Sequence, residues 1–199
     1  MSSSTKVIIL GGFLGSGKTT LLLELGKYIT AHSQKETPLA ILENEIGEVD
    51  VDGAAVGQGG YAVKSLFAGC ACCELLGALP DAVRGILDDF NPEVLIVEAT
   101  GVAVPASMAQ AISKICPQVK VAVLADASRW KRIRLPLRQL LTSQLESAQV
   151  VLINKCDLAD QETIEMVKED VVSYSGVRPV VCMSAQQGLS EEDVQAILG

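Results

Sequence analysis

The chain has 199 residues, 49% of them hydrophobic and 4% aromatic, with a formal net charge of −8 at pH 7. That length suits a single α/β domain with a sizeable core. The acidic balance and scarcity of aromatic rings exclude broad, charge-driven nucleic-acid binding, so a bound polyanion is expected to be small.

Residues Met1 to Lys6 lead into a short apolar run that stops at glycine, which predicts neither a signal peptide nor a membrane span and hence a cytoplasmic protein. In that compartment the six cysteines read as reduced thiols, some of them ligands or nucleophiles, rather than as a disulfide framework. The run Val7 to Leu10 predicts a buried strand and Lys18 to Ala31 a helix. Between them Gly12 to Thr20 carries the spacing Gly-x4-Gly-Lys-Thr of a phosphate-binding loop, whose backbone N–H groups close around phosphate oxygens at the positive end of the helix dipole. Gly12, Gly15 and Gly17 permit the close approach, Ser16 and Thr20 complete the loop, Lys18 reaches the terminal phosphates, and Thr19 offers a hydroxyl to Mg²⁺.

Further strands are predicted at Leu39 to Leu42, Val94 to Val97, Val119 to Leu124, Val150 to Ile153 and Pro179 to Cys182. Helices are predicted at Leu75 to Phe90, Pro105 to Ile115, Leu137 to Ser147, Gln161 to Tyr174 and Glu191 to Leu198, the last with Ser190 as its N-cap. Near-continuous Val, Ile and Leu in the strands means both faces are covered. The expected fold is therefore a three-layer α/β P-loop NTPase with a mostly parallel, doubly wound sheet, binding its ligand beyond the carboxyl ends of the strands. All 199 residues are expected to form one domain with no separate carboxy-terminal domain. Between Gly47 and Gly60 the sequence turns to Gly, Ala and acidic residues and predicts a mobile loop.

Glu98 closes a buried strand and Gly101 follows it, which places a carboxylate where Mg²⁺ could be reached through water and a hinge behind it; a solvent-facing glutamate at a strand end is the alternative. Asn154-Lys155-Cys156-Asp157 follows the next buried strand. An Asp157 carboxylate can accept from both N1–H and the 2-amino group of guanine, whereas adenine would leave it unpaired. Ser184 and Ala185 either supply a backbone N–H to the guanine carbonyl or form a simple turn into a helix.

Cys70, Cys72 and Cys73 suit Zn²⁺ or another thiophilic ion, with one tetrahedral position left for water, a partner or Glu74. On a strand Cys70 and Cys72 would face one way and Cys73 the other. An inert buried cluster is the alternative. Cys116, Cys156 and Cys182 lack partner spacing and read as packing residues, and His32 as solvated.

Gly12 to Thr20, Glu98 with Gly101, and Asn154 to Asp157 together resemble the metallochaperone GTPases that include CobW-type proteins and the nickel-insertion GTPases of urease and hydrogenase. Asn44 to Asp52 looks like that family's first switch, and Gly69 to Cys73 like the Cys-x-Cys-Cys motif of its CobW-type branch. The resemblance implies that Asp52 helps Thr19 and Glu98 hold Mg²⁺ and that Glu45 and Glu48 orient the attacking water; a solvated acidic loop of Glu48, Asp50 and Asp52 is the alternative. It also implies cycling between GTP and GDP and delivery of metal or a metallocofactor to a client protein; hydrolysis is expected to be slow without a partner, because electrostatic stabilisation of the transferring phosphoryl group needs an arginine or a substitute. A homodimer fits the same picture, with neither nucleic acid nor membrane as partner. Two rivals remain: a GTP-gated adaptor with structural zinc, and a thiol redox sensor. The sequence shows no activating arginine near the phosphate loop, and the basic stretch Arg129 to Arg134 with Arg138 is a candidate client surface, a solvated helix face or a dimer surface.

Overall fold

The computed structural model describes residues 5–45, 55–56, 61–67, 72–176 and 179–199. Among these, strands β1 (Lys6–Gly12), β2 (Leu39–Glu45), β3 (Ala55–Val56), β4 (Ala62–Phe67), β5 (Val94–Glu98), β6 (Val119–Asp126), β7 (Val150–Asn154) and β8 (Val180–Cys182) form one sheet in the order β3-β4-β2-β5-β1-β6-β7-β8. Every neighbouring pair is parallel except β3 with β4. The described helices are α1 (Lys18–His32), α2 (Cys72–Phe90), α3 (Pro105–Ile112), α4 (Trp130–Ile133), α5 (Arg138–Leu145), α6 (Gln161–Ser175) and α7 (Glu191–Leu198).

The apolar strand runs are explained by the layers. In β1, Val7 and Ile9 pack into one cluster with Leu79, Val83, Met108, Leu141 and Val167, which come from α2, α3, α5 and α6. Ile8 and Leu10 point the other way, into a second cluster with Leu21 and Leu25 of α1 and Val194 and Ile197 of α7. Alternate side chains of one strand thus feed two cores. The connections diverge from β1, with β5 on one side and β6 on the other; this is the arrangement that opens a ligand crevice at the carboxyl ends. Helix α7 starts as its sequence predicts, with Ser190 and Asp193 closing a reciprocal capping box. Among the described residues no helix is long and apolar enough to cross a membrane.

The sheet departs from expectation on one side. The stretch expected to be a loop from Gly47 to Gly60 contains β3, whose Ala55 and Val56 pair with Val63 and Ala62; the rest of that stretch lies outside the described residues. Beside it β4 extends the sheet, although Lys64 and Ser65 interrupt its apolar run. A strand flanked by only a two-residue neighbour is not covered like a central one, so it lacks their hydrophobic signature.

The basic stretch is tied to α6 through Asp170. Trp130 is 1% exposed, and its indole N–H donates to Asp170 Oδ2 at 2.7 Å. Arg134 forks onto the same carboxylate, Nε to Oδ2 at 2.6 Å and Nη2 to Oδ1 at 2.7 Å. The Arg138 guanidinium lies 5.3 Å from the centre of the Tyr174 ring. Arg134 therefore anchors the segment to α6, with Lys131, Arg132 and Arg138 exposed. Burial pushes the Asp170 carboxyl up, but hydrogen bonds from Arg134 and Trp130 outweigh it and leave the pKa below the ordinary value. A depressed folded pKa stabilises the native state above the unfolded carboxyl pKa near 4, and that contribution disappears as pH falls through the folded value. Asp170→Ala is expected to cost about 2 kcal/mol at neutral pH, chiefly by leaving the buried Trp130 N–H without an acceptor. Urea melts at pH 7 and pH 3 check this: the gap between wild type and variant should narrow at the lower pH.

Candidate nucleotide site

The turn from β1 to α1 carries the site. Gly12 and Gly17 have φ of 136° and 100°; a Cβ at Gly12 would sit 2.7 Å from the Leu124 carbonyl oxygen, and one at Gly17 would overlap Asn154 Nδ2. Lys18 is 7% exposed and folds back over its own loop, with Nζ donating to the Gly12 carbonyl at 3.2 Å and lying 3.9 Å from Glu98 Oε1. Burial lowers the Lys18 pKa, with the Glu98 charge opposing. The Ser16 hydroxyl is buried without a hydrogen-bond partner among the described residues, while Thr19 and Thr20 are exposed at the start of α1. A buried cation, an unpartnered hydroxyl and a helix N-terminus in one turn fit a phosphate group.

Glu98, at the end of β5, is half-buried, so the solvent-facing alternative does not describe it. Gly101 touches the loop directly: a Cβ there would lie 2.7 Å from the Leu14 nitrogen. The segment after Glu98 is anchored by Gln144, a buried residue of α5 whose Nε2 donates to the carbonyls of Gly101 at 3.0 Å and Ala103 at 3.1 Å.

The second loop is bolted to the first. Asn154 is 2% exposed; its Nδ2 donates to the Ser16 carbonyl at 2.8 Å, and its Oδ1 accepts from Ala185 N–H at 2.9 Å. Lys155, with φ of 63°, sends Nζ to the Gly15 carbonyl at 2.6 Å and to Asp126 Oδ2 at 2.8 Å. Asp157 is exposed at the mouth, in the 3-10 turn Cys156–Leu158. The Ala185 N–H expected to face the guanine carbonyl is satisfied by Asn154, and Ser184 precedes it as the cap of a 3-10 turn.

Three positions join the site that no local motif announces. Asp126, at the end of β6, is 3% exposed and also accepts from Ser128 Oγ at 2.6 Å. Gln144 is the second. Arg129 lies against the phosphate loop: its Nη1 donates to the Leu14 carbonyl at 3.0 Å, and its guanidinium lies 5.9 Å from the centre of the Phe13 ring.

The metal-site expectations fall differently. Asp52, Glu48 and Cys70 lie outside the described residues, and among the described residues no cluster of three or more His, Cys, Asp or Glu side chains is present. Cys72 and Cys73 open α2, so the strand alternation expected for them does not apply; successive helical positions turn by about 100°. Their backbone lies shortly beyond β4, whose Phe67 pairs with Glu45 of β2, while Glu43 of β2 pairs with Glu98. The start of α2 and Glu98 are thus on the same carboxyl edge of the sheet.

A strand-to-helix phosphate loop under a parallel sheet, braced by a second loop ending in an exposed carboxylate, defines a P-loop nucleotide-binding domain. The sequence pattern described as "CobW/HypB/UreG, nucleotide-binding domain" matches residues 6–181, and the chain belongs to that family. It is similar to the zinc chaperone YjiA of Escherichia coli K12, 32% identical over 185 residues that cover 87% of this chain and 56% of the relative. The zinc chaperone YeiR of the same organism is 30% identical, with coverage of 89% and 54%. The chain thus spans about half the length of these relatives. The crystal structure of Zn(II)-bound YjiA GTPase from E. coli superposes with a TM-score of 0.66 at 25% identity, over 98% of this chain and 62% of that one. That of HypB from Helicobacter pylori in complex with nickel gives 0.63 at 19% identity, over 97% and 83%, a likeness of fold.

Proposed function

We propose that this chain is a Mg²⁺-dependent GTP-binding and GTP-hydrolysing metallochaperone domain. In this reading it holds a thiophilic metal ion through Cys70, Cys72 and Cys73 and passes metal, or a metal-containing cofactor, to a client protein. The observation that carries the nucleotide half is the double clamp of Asn154 on Ser16 and Lys155 on Gly15, which sets a loop ending in Asp157 at a fixed distance from a phosphate cradle.

In that reading the backbone N–H groups of Gly15, Ser16, Gly17, Lys18, Thr19 and Thr20 hold the phosphates, with Lys18 on their terminal oxygens. The Thr19 hydroxyl, Glu98 through water, and Asp52 would hold Mg²⁺, which would supply positive charge to offset that of the phosphates when bound. Asp157 reads guanine, Lys155 covers the base, and Ser184 and Ala185 border it. Gly101 touches the phosphate loop and follows Glu98, so its segment is the one to shift when the terminal phosphate leaves. Hydrolysis is slow without a client or a second copy of the chain. The metal half is supported by the Cys-x-Cys-Cys spacing, by the start of α2 on the nucleotide edge of the sheet, and by relatives named zinc chaperones.

Zinc affinity measured by competition with a chromogenic chelator, in the presence of a non-hydrolysable GTP analogue or of GDP, is expected to differ by about tenfold or more. Equal affinities would remove the coupling, and Mg²⁺-independent hydrolysis would remove the assignment of Thr19 and Glu98.

A further inference from the structure

Two cysteines that the spacing leaves unconnected come together beside the base loop. Cys182 ends β8 and pairs in register with Ile153 of β7. Cys156 stands three positions beyond Ile153; its N–H donates to the Met183 carbonyl at 3.2 Å, and its thiol donates to the Ile153 carbonyl at 3.2 Å. Both sulfurs therefore gather around one stretch of the β7–β8 pairing, close enough for the charge of Cys182 to act on Cys156. Cys182 is exposed and Cys156 is half-buried. Cys182 directly precedes Met183, whose carbonyl accepts from the Cys156 N–H, so the two cysteines flank one hydrogen bond between the segments.

We propose that Cys156 and Cys182 form a thiol–disulfide pair that fastens the base-reading loop after β7 to the loop after β8, and that closing it slows release of bound guanine nucleotide. The release half rests on the guanine reading above; the bond itself does not.

The surroundings give the two thiols different roles. Cys156 is pushed up to about 11, first by burial and then by the charge of Cys182, so it is a protonated thiol at neutral pH. Lys168 of α6, hydrogen-bonded to Glu165 at 2.9 Å, places an ammonium within electrostatic reach of both sulfurs, and Asp157 adds a negative charge on the loop side. The accessible Cys182 reacts first. With a small disulfide of the oxidised-glutathione class, the Cys182 thiol loses its proton to water and its sulfur attacks one sulfur of the reagent, expelling one thiolate. Cys156 then loses its proton to water and attacks the Cys182 sulfur, breaking the mixed disulfide and expelling the second thiolate. Two protein thiols are oxidised to one disulfide, and one small disulfide is reduced to two thiols.

The bond would lock the contact of Cys156 with Met183, two residues before Ala185, whose N–H holds Asn154. Opening the base loop requires those segments to part, so the crosslink opposes nucleotide exit.

The full chain is treated with oxidised glutathione, and intact mass and peptide mapping read the product. The expected product has lost two hydrogens at a linked Cys156–Cys182 peptide, melts roughly 5 °C higher, and releases a fluorescent GDP at least about threefold more slowly. Dithiothreitol reverses all three, and Cys182→Ser shows none of them. No linked peptide, or a stable glutathione adduct on Cys182 alone, overturns the pair; linkage with unchanged or faster release overturns the locking role. Protein that forms the bridge and binds no guanine nucleotide in either state overturns the guanine reading and the release half with it, while the bond stands.

Discussion

Asn154→Ala is expected to weaken guanine nucleotide binding by about 100-fold, near 2.7 kcal/mol. The side chain is a two-ended brace, donating to Ser16 in the phosphate loop and accepting from Ala185 beyond β8. Alanine leaves a buried carbonyl and a buried N–H unsatisfied, each at about 1–3 kcal/mol, and opens space beside Gly17, which packs against Nδ2. The loops would then have to be ordered at the moment of binding. Asn154→Asp separates the two ends: an ionised carboxylate keeps the Ala185 bond but faces the Ser16 carbonyl with a second acceptor. It should bind nucleotide as poorly as alanine does while losing less stability. Calorimetric titration with GDP and urea melts of both variants decide this. Aspartate binding near the wild-type level would show that the Ser16 contact does not hold the loop.

That brace also shows how far the sequence could be read. The phosphate loop, Glu98 and the Asn154 to Asp157 stretch were legible because each is a short run whose spacing encodes its own chemistry, and the central strands because parallel strands buried on two faces are written in Val, Ile and Leu. The contacts between them were not. Asn154 and Ser16 are 138 residues apart, and Arg129 and Leu14 115 apart; no local pattern pairs residues that only the order of β1, β6 and β7 makes neighbours. Asp126 looked like the end of an apolar strand, and its role appears only when parallel register places it opposite Asn154. The basic stretch is half legible. Its charge was visible, whereas the single carboxylate of Asp170 that gathers Trp130 and Arg134 was one acidic residue among many in α6. β4 escapes the pattern because its environment is half-polar, and the start of α2 at Cys72 does so because a first helical turn carries no periodicity of its own.

Asp157→Asn is expected to exchange the preferred base instead of merely weakening binding. The residue is exposed and makes no hydrogen bond among the described residues, so an isosteric amide leaves the loop intact and stability within about 0.5 kcal/mol of wild type. At the base the consequences are larger. The carboxylate would accept from both N1–H and the 2-amino group of guanine, whereas the amide offers one acceptor and one donor. Its NH₂ then meets the guanine amino group donor to donor. Xanthine carries a carbonyl at that carbon and keeps N1–H, so it matches the amide in both positions. A polar site built for one hydrogen-bond pattern rejects the mismatched partner by large factors. GDP affinity should therefore fall on the order of 100-fold or more, and xanthosine diphosphate should become the tighter ligand. Competition between the two diphosphates against a fluorescent GDP on wild type, and against a fluorescent xanthosine diphosphate on the variant, measures the exchange. If Asp157→Asn bound both bases as wild type does, base selection would have to lie elsewhere in the loop set, and the guanine assignment would lose its support at this position.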